Sequence, residues 1–142
     1  MLKRLLFITA AVALALAAGY ADQSKGKVVI PFDRTSPSDG KQMFTSYCAP
    51  CHGADGRGHG PAAAALKAQP TDLTLLARTN HGKYPDAHVV SVLNFGPEIR
   101  AHGSAEMPTW GTILGKINPV NPQEKNVRVS NLSRYVEHLQ VN

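Results

Sequence analysis

One five-residue stretch constrains this chain more than anything else in it: Cys48-Ala49-Pro50-Cys51-His52. These are its only two cysteines. They stand about one helical turn apart, and an imidazole follows directly. A disulfide is the ordinary fate of a cysteine pair in an exported protein, but it leaves His52 without a role. A structural zinc site needs four ligands, usually two Cys pairs or Cys with two suitably spaced His. There is no second pair here, and His59 and His81 do not fall in such a pattern. A thioredoxin-like redox pair belongs in a βαβ setting, whereas the flanks here read as helix.

What remains is covalent attachment of haem, for which Cys-x-x-Cys-His is the sequence pattern. Two thiols a turn apart can add to the two vinyl groups along one edge of a porphyrin. The adjacent imidazole is then carried beneath the iron as its proximal ligand. The expected cofactor is a single haem c, bound through Cys48 and Cys51 and ligated by His52. A porphyrin also supplies apolar area that so small a chain cannot provide from its own side chains.

The first 21 residues read as an address rather than as structure. Lys3 and Arg4 form a positive start, Leu5 to Ala18 is an apolar run of 14 residues, and Gly19 and Ala21 set small residues at the cleavage positions. The run is shorter than the roughly 20 residues of a spanning helix. A signal peptide (1–21) cut after Ala21 is therefore expected, giving a periplasmic protein, or a membrane-anchored one if the segment is retained. Stable membrane insertion is not expected after the cut. Cleavage removes two basic residues and no acidic one, so the net charge falls from +5 to +3. That is a mild bias without a Lys/Arg cluster or a stacking array of aromatics, and it excludes a nucleic-acid footprint.

After the leader come an extended arm (22–35), with the β-like run Val28-Val29-Ile30 stopped by Pro31, and a single domain over 36–142. Ser36-Pro37-Ser38-Asp39 reads as a helix start, with Ser36 as N-cap, Pro37 at the first helical position and Asp39 closing a capping box. Gly40, Phe44, Tyr47 and Cys51 then share one helical face, and Gly40 on that face predicts a close crossing with another helix. Short helical turns are expected at Pro61–Ala68 and Thr71–Ala77. A further helix over Pro85–Phe95 should bury Val89, Val90, Val92, Leu93 and Phe95 before Gly96-Pro97 stops it. A terminal helix, beginning as early as Asn121-Pro122, carries the apolar stripe Val129, Leu132, Tyr135, Val136 and Leu139.

Taken with Gly56/Gly58/Gly60-Pro61 and with His102-Gly103 through Met107-Pro108-x-Trp110-Gly111, the attachment motif resembles the class I monohaem cytochromes c over about Ser36 to Gln140. The resemblance implies an all-α, small cytochrome c-like fold of three to five helices with long loops around one covalently bound haem. It also implies that the first and last helices cross beside the haem, where Gly40, Phe44 and Tyr135 fit the contact.

His52 fills one axial position, and the sequence offers several candidates for the other. Met43 sits on the attachment helix itself, poorly placed for the opposite haem face. Met107 lies 55 residues past His52, with chain enough to wrap the ring, and Pro108 biases its backbone toward an extended loop. His59, His81, His88, His102 and His138 compete by residue type. The resemblance favours Met107, and Met/His ligation raises a haem's potential. It further implies that the Pro61 carbonyl meets the other nitrogen of His52, a bond that would orient the ring. Trp110 is a candidate donor to a propionate or a core aromatic. Arg100 and Tyr84 are candidates to pair with a propionate.

The expected function is one-electron transfer and not enzymatic catalysis. No base–nucleophile pair is evident, and Gly53 to Gly60 lacks the ending of a phosphate-binding loop. The alternatives are a dedicated cytochrome subunit of a periplasmic dehydrogenase, or a haem enzyme or gas sensor with an open distal site. The expected partners are redox proteins, an upstream dehydrogenase or cytochrome complex and a downstream oxidase or reductase, met by a monomer.

Overall fold

A computed structural model describes residues 34–97 and 106–141. The leader, nearly all of the arm, Arg100 and His102 lie outside these residues. Within them all regular structure is helical and no strand occurs. None of the helices described is long and apolar enough to cross a membrane.

One helical run carries the attachment motif. It consists of α1 (Gly40–Met43), a π-helical stretch Phe44–Cys48 and α2 (Ala49–His52). The run starts three residues later than the capping box at Ser36 predicts. Ser36 Oγ accepts from Ser38 N in a local turn instead, and Asp39 is the N-cap, its carboxylate accepting from Gln42 N at 2.8 Å. Gln42 answers by accepting from Ser36 N at 2.8 Å. The competition between side chain and backbone for local bonds in Ser-rich turns explains the delay. The π-helical stretch was not foreseen. Such stretches insert a residue into an α-helix and occur often at functional sites. Here the shift in register leaves Phe44, Tyr47 and Cys48 buried, while Cys51 is only half-buried.

The run crosses α6 (Glu124–His138). Gly40 makes the approach possible: a Cβ there would collide with the Asn131 carbonyl oxygen and come to 3.0 Å of Tyr135 Cβ. Phe44 lies across Tyr135 with ring centroids 5.2 Å apart. From α6, Val129, Leu132 and Val136 are buried, while Tyr135 and, just past the helix end, Leu139 pack at the edge of the core, as the apolar stripe requires. The helix starts at Glu124, since Pro122 and Gln123 form a turn instead. Gly40→Ala is expected to destabilise the haem-loaded protein by about 1–3 kcal/mol, the usual cost of overpacking, and Gly40→Val by more. Thermal unfolding checks this; equal or higher stability for Gly40→Ala would refute the close crossing.

The remaining elements close around that pair. A 3₁₀ turn at Leu73–Leu75 runs into α3 (Leu76–Thr79), started by Asp72, whose carboxylate accepts from Thr74 N at 2.8 Å. Above all, the hydrogen bond from the Thr74 hydroxyl holds the Asp72 carboxyl below its ordinary pKa. Gln140 pins this element from the other end of the chain, accepting from Ala77 N and donating to Leu73 O. Next, α4 (Asp86–Phe95) packs on α6 and on α5 (Trp110–Gly115). Val89 and Leu93 are its buried residues. Phe95 is 70 % exposed, against expectation, because it stands at the last turn before the chain leaves at Gly96. The helix α5 was not read from the sequence. It buries Trp110 and Leu114.

One buried charge serves the core. Arg128 is 3 % exposed and bonds Glu124 Oε1 through Nε at 2.9 Å and Nη2 at 2.7 Å. Its Nη1 donates to Thr35 Oγ1, which also meets the Tyr47 hydroxyl at 2.8 Å. Glu124 Oε2 accepts from Asn118 at 2.7 Å, and that bond together with Arg128 draws the Glu124 pKa down. The network satisfies a charge that would be costly if left unpaired, and it ties the start of α6 to the attachment run.

Candidate functional site

The site is built on the C-terminal end of the attachment run. A helix end leaves its last carbonyls without intrahelical partners, and here the glycine-rich loop supplies them. Ala62 N donates to Pro50 O at 2.8 Å, Gly60 N to Cys51 O at 3.0 Å and Gly58 N to His52 O at 2.6 Å. The loop must lie directly against the motif to do this. A Cβ on Gly60 would stand 2.6 Å from the Pro50 carbonyl carbon, which explains a glycine there in steric terms.

Cys48 and Cys51 form no disulfide. Burial, helped by the neighbouring Cys51, pushes the Cys48 thiol up to about 12, and burial raises Cys51 as well. Among the described residues there is no group of three or more His, Cys, Asp or Glu placed to hold a metal ion.

His52 is half-buried, and its Nδ1 lies 3.0 Å from the Thr71 carbonyl oxygen. A carbonyl can only accept, so Nδ1 carries the hydrogen and Nε2 keeps its lone pair. Burial lowers the His52 pKa, opposed by the Thr71 bond, and so favours the neutral ring. A neutral imidazole with one nitrogen pinned and the other open is the form that ligates a metal.

The carbonyl that meets His52 is therefore Thr71's, not Pro61's. The reason lies in the loop: residues on both sides of Pro61 direct their N–H groups at the helix carbonyls, and Pro61 itself faces solvent. No side-chain pattern marks a backbone carbonyl such as Thr71's, so residue type and spacing carry no signal for it.

The other candidates separate by burial. Met43 is fully buried, and its sulfur takes Arg128 Nη1 at 3.8 Å, so it belongs to the core. His59, His81, His88 and His138 are exposed. Met107 is partly buried and packs against the core cluster that also contains Cys48, Tyr47 and Trp110. Trp110 is 5 % exposed and stacks on Tyr47 at 5.5 Å, which makes it a core aromatic beside the attachment run. The Tyr84 hydroxyl donates to Ser133 O at 2.8 Å, and Ser133 Oγ donates to Asp86 Oδ1 at 2.7 Å, fixing the start of α4 to α6. Burial pushes Tyr84 up to about 12. Arg100 lies outside the described residues. A contact missed in the sequence joins the two halves of the site: the Glu106 carboxylate accepts from Lys67 N and Ala68 N.

The donor set fits a haem. Two thiols and an imidazole occupy one helix end, the imidazole is bonded through Nδ1 so that Nε2 is its ligating atom, and a thioether borders the same core. No curated protein and no solved structure matches the chain. The family model for cytochrome c matches residues 37–112, more than half of the chain and the whole of the site just described. The chain thus belongs to the cytochrome c family, and its general work is haem-based electron transfer.

Proposed function

We propose that this protein is an exported carrier of single electrons, with one haem c linked through Cys48 and Cys51 and ligated by His52 and Met107. The observation that carries the reading is the geometry of His52, directly after Cys51 at the helix end and pinned through Nδ1 to the Thr71 carbonyl at 3.0 Å, which leaves Nε2 as its ligating atom. Support for Met107 comes from its place against the core and from the exposure of the competing histidines at 59, 81, 88 and 138. When bound, the haem supplies the one-electron couple. The chain would attach it through Cys48 and Cys51 and orient it through His52, and Met107 would hold the position that oxygen or peroxide needs.

The leader and the attachment motif together support export to the periplasm, where the redox partners would be a dehydrogenase or cytochrome complex upstream and an oxidase or reductase downstream. The small apolar surface beside the motif suits a transient encounter. Pro61, Ala64 and Ala65 are exposed there and Pro50 half-exposed, and weak electron-transfer contacts bury less than about 1,200 Å². Potentiometric titration of the purified protein is expected to follow a single reversible one-electron wave, and the reduced form to leave carbon monoxide unbound. Rapid carbon monoxide binding by the native protein would instead mean a distal site open to ligands, and would overturn the carrier reading.

A further inference from the structure

We propose that Glu106 is a positioning residue for the Met107 thioether, stapling the ligand loop to the stretch of backbone that also orients His52. The proposal rests on the reading of Met107 as an axial ligand. Both Glu106 oxygens accept from Lys67 N, at 3.0 and 2.9 Å, and Oε2 also accepts from Ala68 N at 3.4 Å. Four residues beyond Lys67, the Thr71 carbonyl takes His52 Nδ1. The segment Lys67-Ala68-Gln69-Pro70-Thr71 is thus bonded at one end to the neighbour of Met107 and at the other to the proximal imidazole. It is not a loose connection. Pro70 fixes its own φ, and Gln69 Nε2 donates to Gly58 O in the glycine loop, which itself bonds the attachment helix. Both axial residues are in this way referred to one short piece of backbone.

The physical consequence concerns ligand exchange. An external base would have to displace the Met107 thioether, and a loop held down would keep the thioether in place. Hydrogen bonds from N–H groups to a carboxylate are stronger than neutral ones, so the staple favours the seated loop. Exposure to water weakens the bonds. The expected effect of losing them is therefore about tenfold on exchange, equivalent to about 1.4 kcal/mol.

The test uses the ferric holoprotein with imidazole as the probe, in Glu106→Ala, Glu106→Gln and Met107→Ala. Glu106→Ala should keep the weak red absorption of a thioether–iron bond in the absence of imidazole and should bind imidazole about tenfold more tightly than wild type. Glu106→Gln should fall between them, since the amide keeps an acceptor oxygen without the charge. A merely structural role would lower the unfolding temperature and leave imidazole affinity unchanged, and that result overturns the proposal. Met107→Ala keeps the two failures apart. If it retains the wild-type spectrum, the ligand assignment is wrong and the staple falls with it. If it loses the red band and binds imidazole freely while Glu106→Ala behaves as wild type, the assignment stands and only the staple is refuted.

Discussion

Alanine in place of both Cys48 and Cys51 is expected to yield an exported chain without covalent haem and without most of its helix. A single replacement should lower the yield of haem-loaded protein on the order of tenfold or more, because a covalent link replaces bimolecular capture by an effectively intramolecular one. The physical reason is the size of the core. The buried cluster runs from Met43 to Val136 and is drawn from the attachment run, α4, α5 and α6, and Cys48 is itself part of it at 8 % exposure. Those elements are joined by long irregular loops, so much of the apolar area that should hold them must come from the porphyrin. Of the two single variants Cys48→Ala should be the more damaging, because Cys51 is only half-buried. Denaturing electrophoresis with haem staining, together with far-ultraviolet circular dichroism, measures both effects. A cysteine-free variant that folds normally without haem would contradict the account.

Met107→Ala is expected to leave the haem attached and to open the sixth position. Carbon monoxide should then bind the reduced protein and cyanide the oxidised one. The reduction potential should fall on the order of 0.1 V, a modest part of the roughly 0.8 V that axial ligands command. The direction follows from the chemistry of the thioether, a soft and neutral ligand that favours the reduced iron. Because Met107 sits partly exposed at the edge of the core, its truncation should cost little packing, so the change reports ligation rather than unfolding. An unaltered spectrum and potential would transfer the role to a histidine. His102 would be the first to test, since His59, His81, His88 and His138 face solvent.

Much of this was legible in the residues alone, and the parts that were not share a cause. The Cys48-x-x-Cys51-His52 motif, the crossing at Gly40 and the stripe on α6 all announce themselves through side-chain type and spacing, which set what can pack or ligate. The π-helical stretch Phe44–Cys48 has no such marker, because its extra residue is a matter of backbone register. The same is true of the His52 partner: the resemblance pointed to Pro61, whereas the local path of the glycine loop brings the Thr71 carbonyl to the ring. Helix α5 was hidden by Gly111 and the β-branched Thr112 and Ile113, weak helix formers that tertiary packing overrides. Nothing in residue type or spacing marks Arg128 for burial; Glu124, Thr35 and the Met43 sulfur supply its partners. Helix starts shifted inward at both Ser36 and Asn121, where turns compete with the first helical bonds.

The most direct single measurement is the mass and spectrum of the exported, purified chain after full unfolding and extraction of any loosely bound pigment. The account predicts one haem per chain, still attached, on a polypeptide that begins after Ala21. Removal of the haem by extraction, or a chain of apoprotein mass that folds and functions, would contradict it.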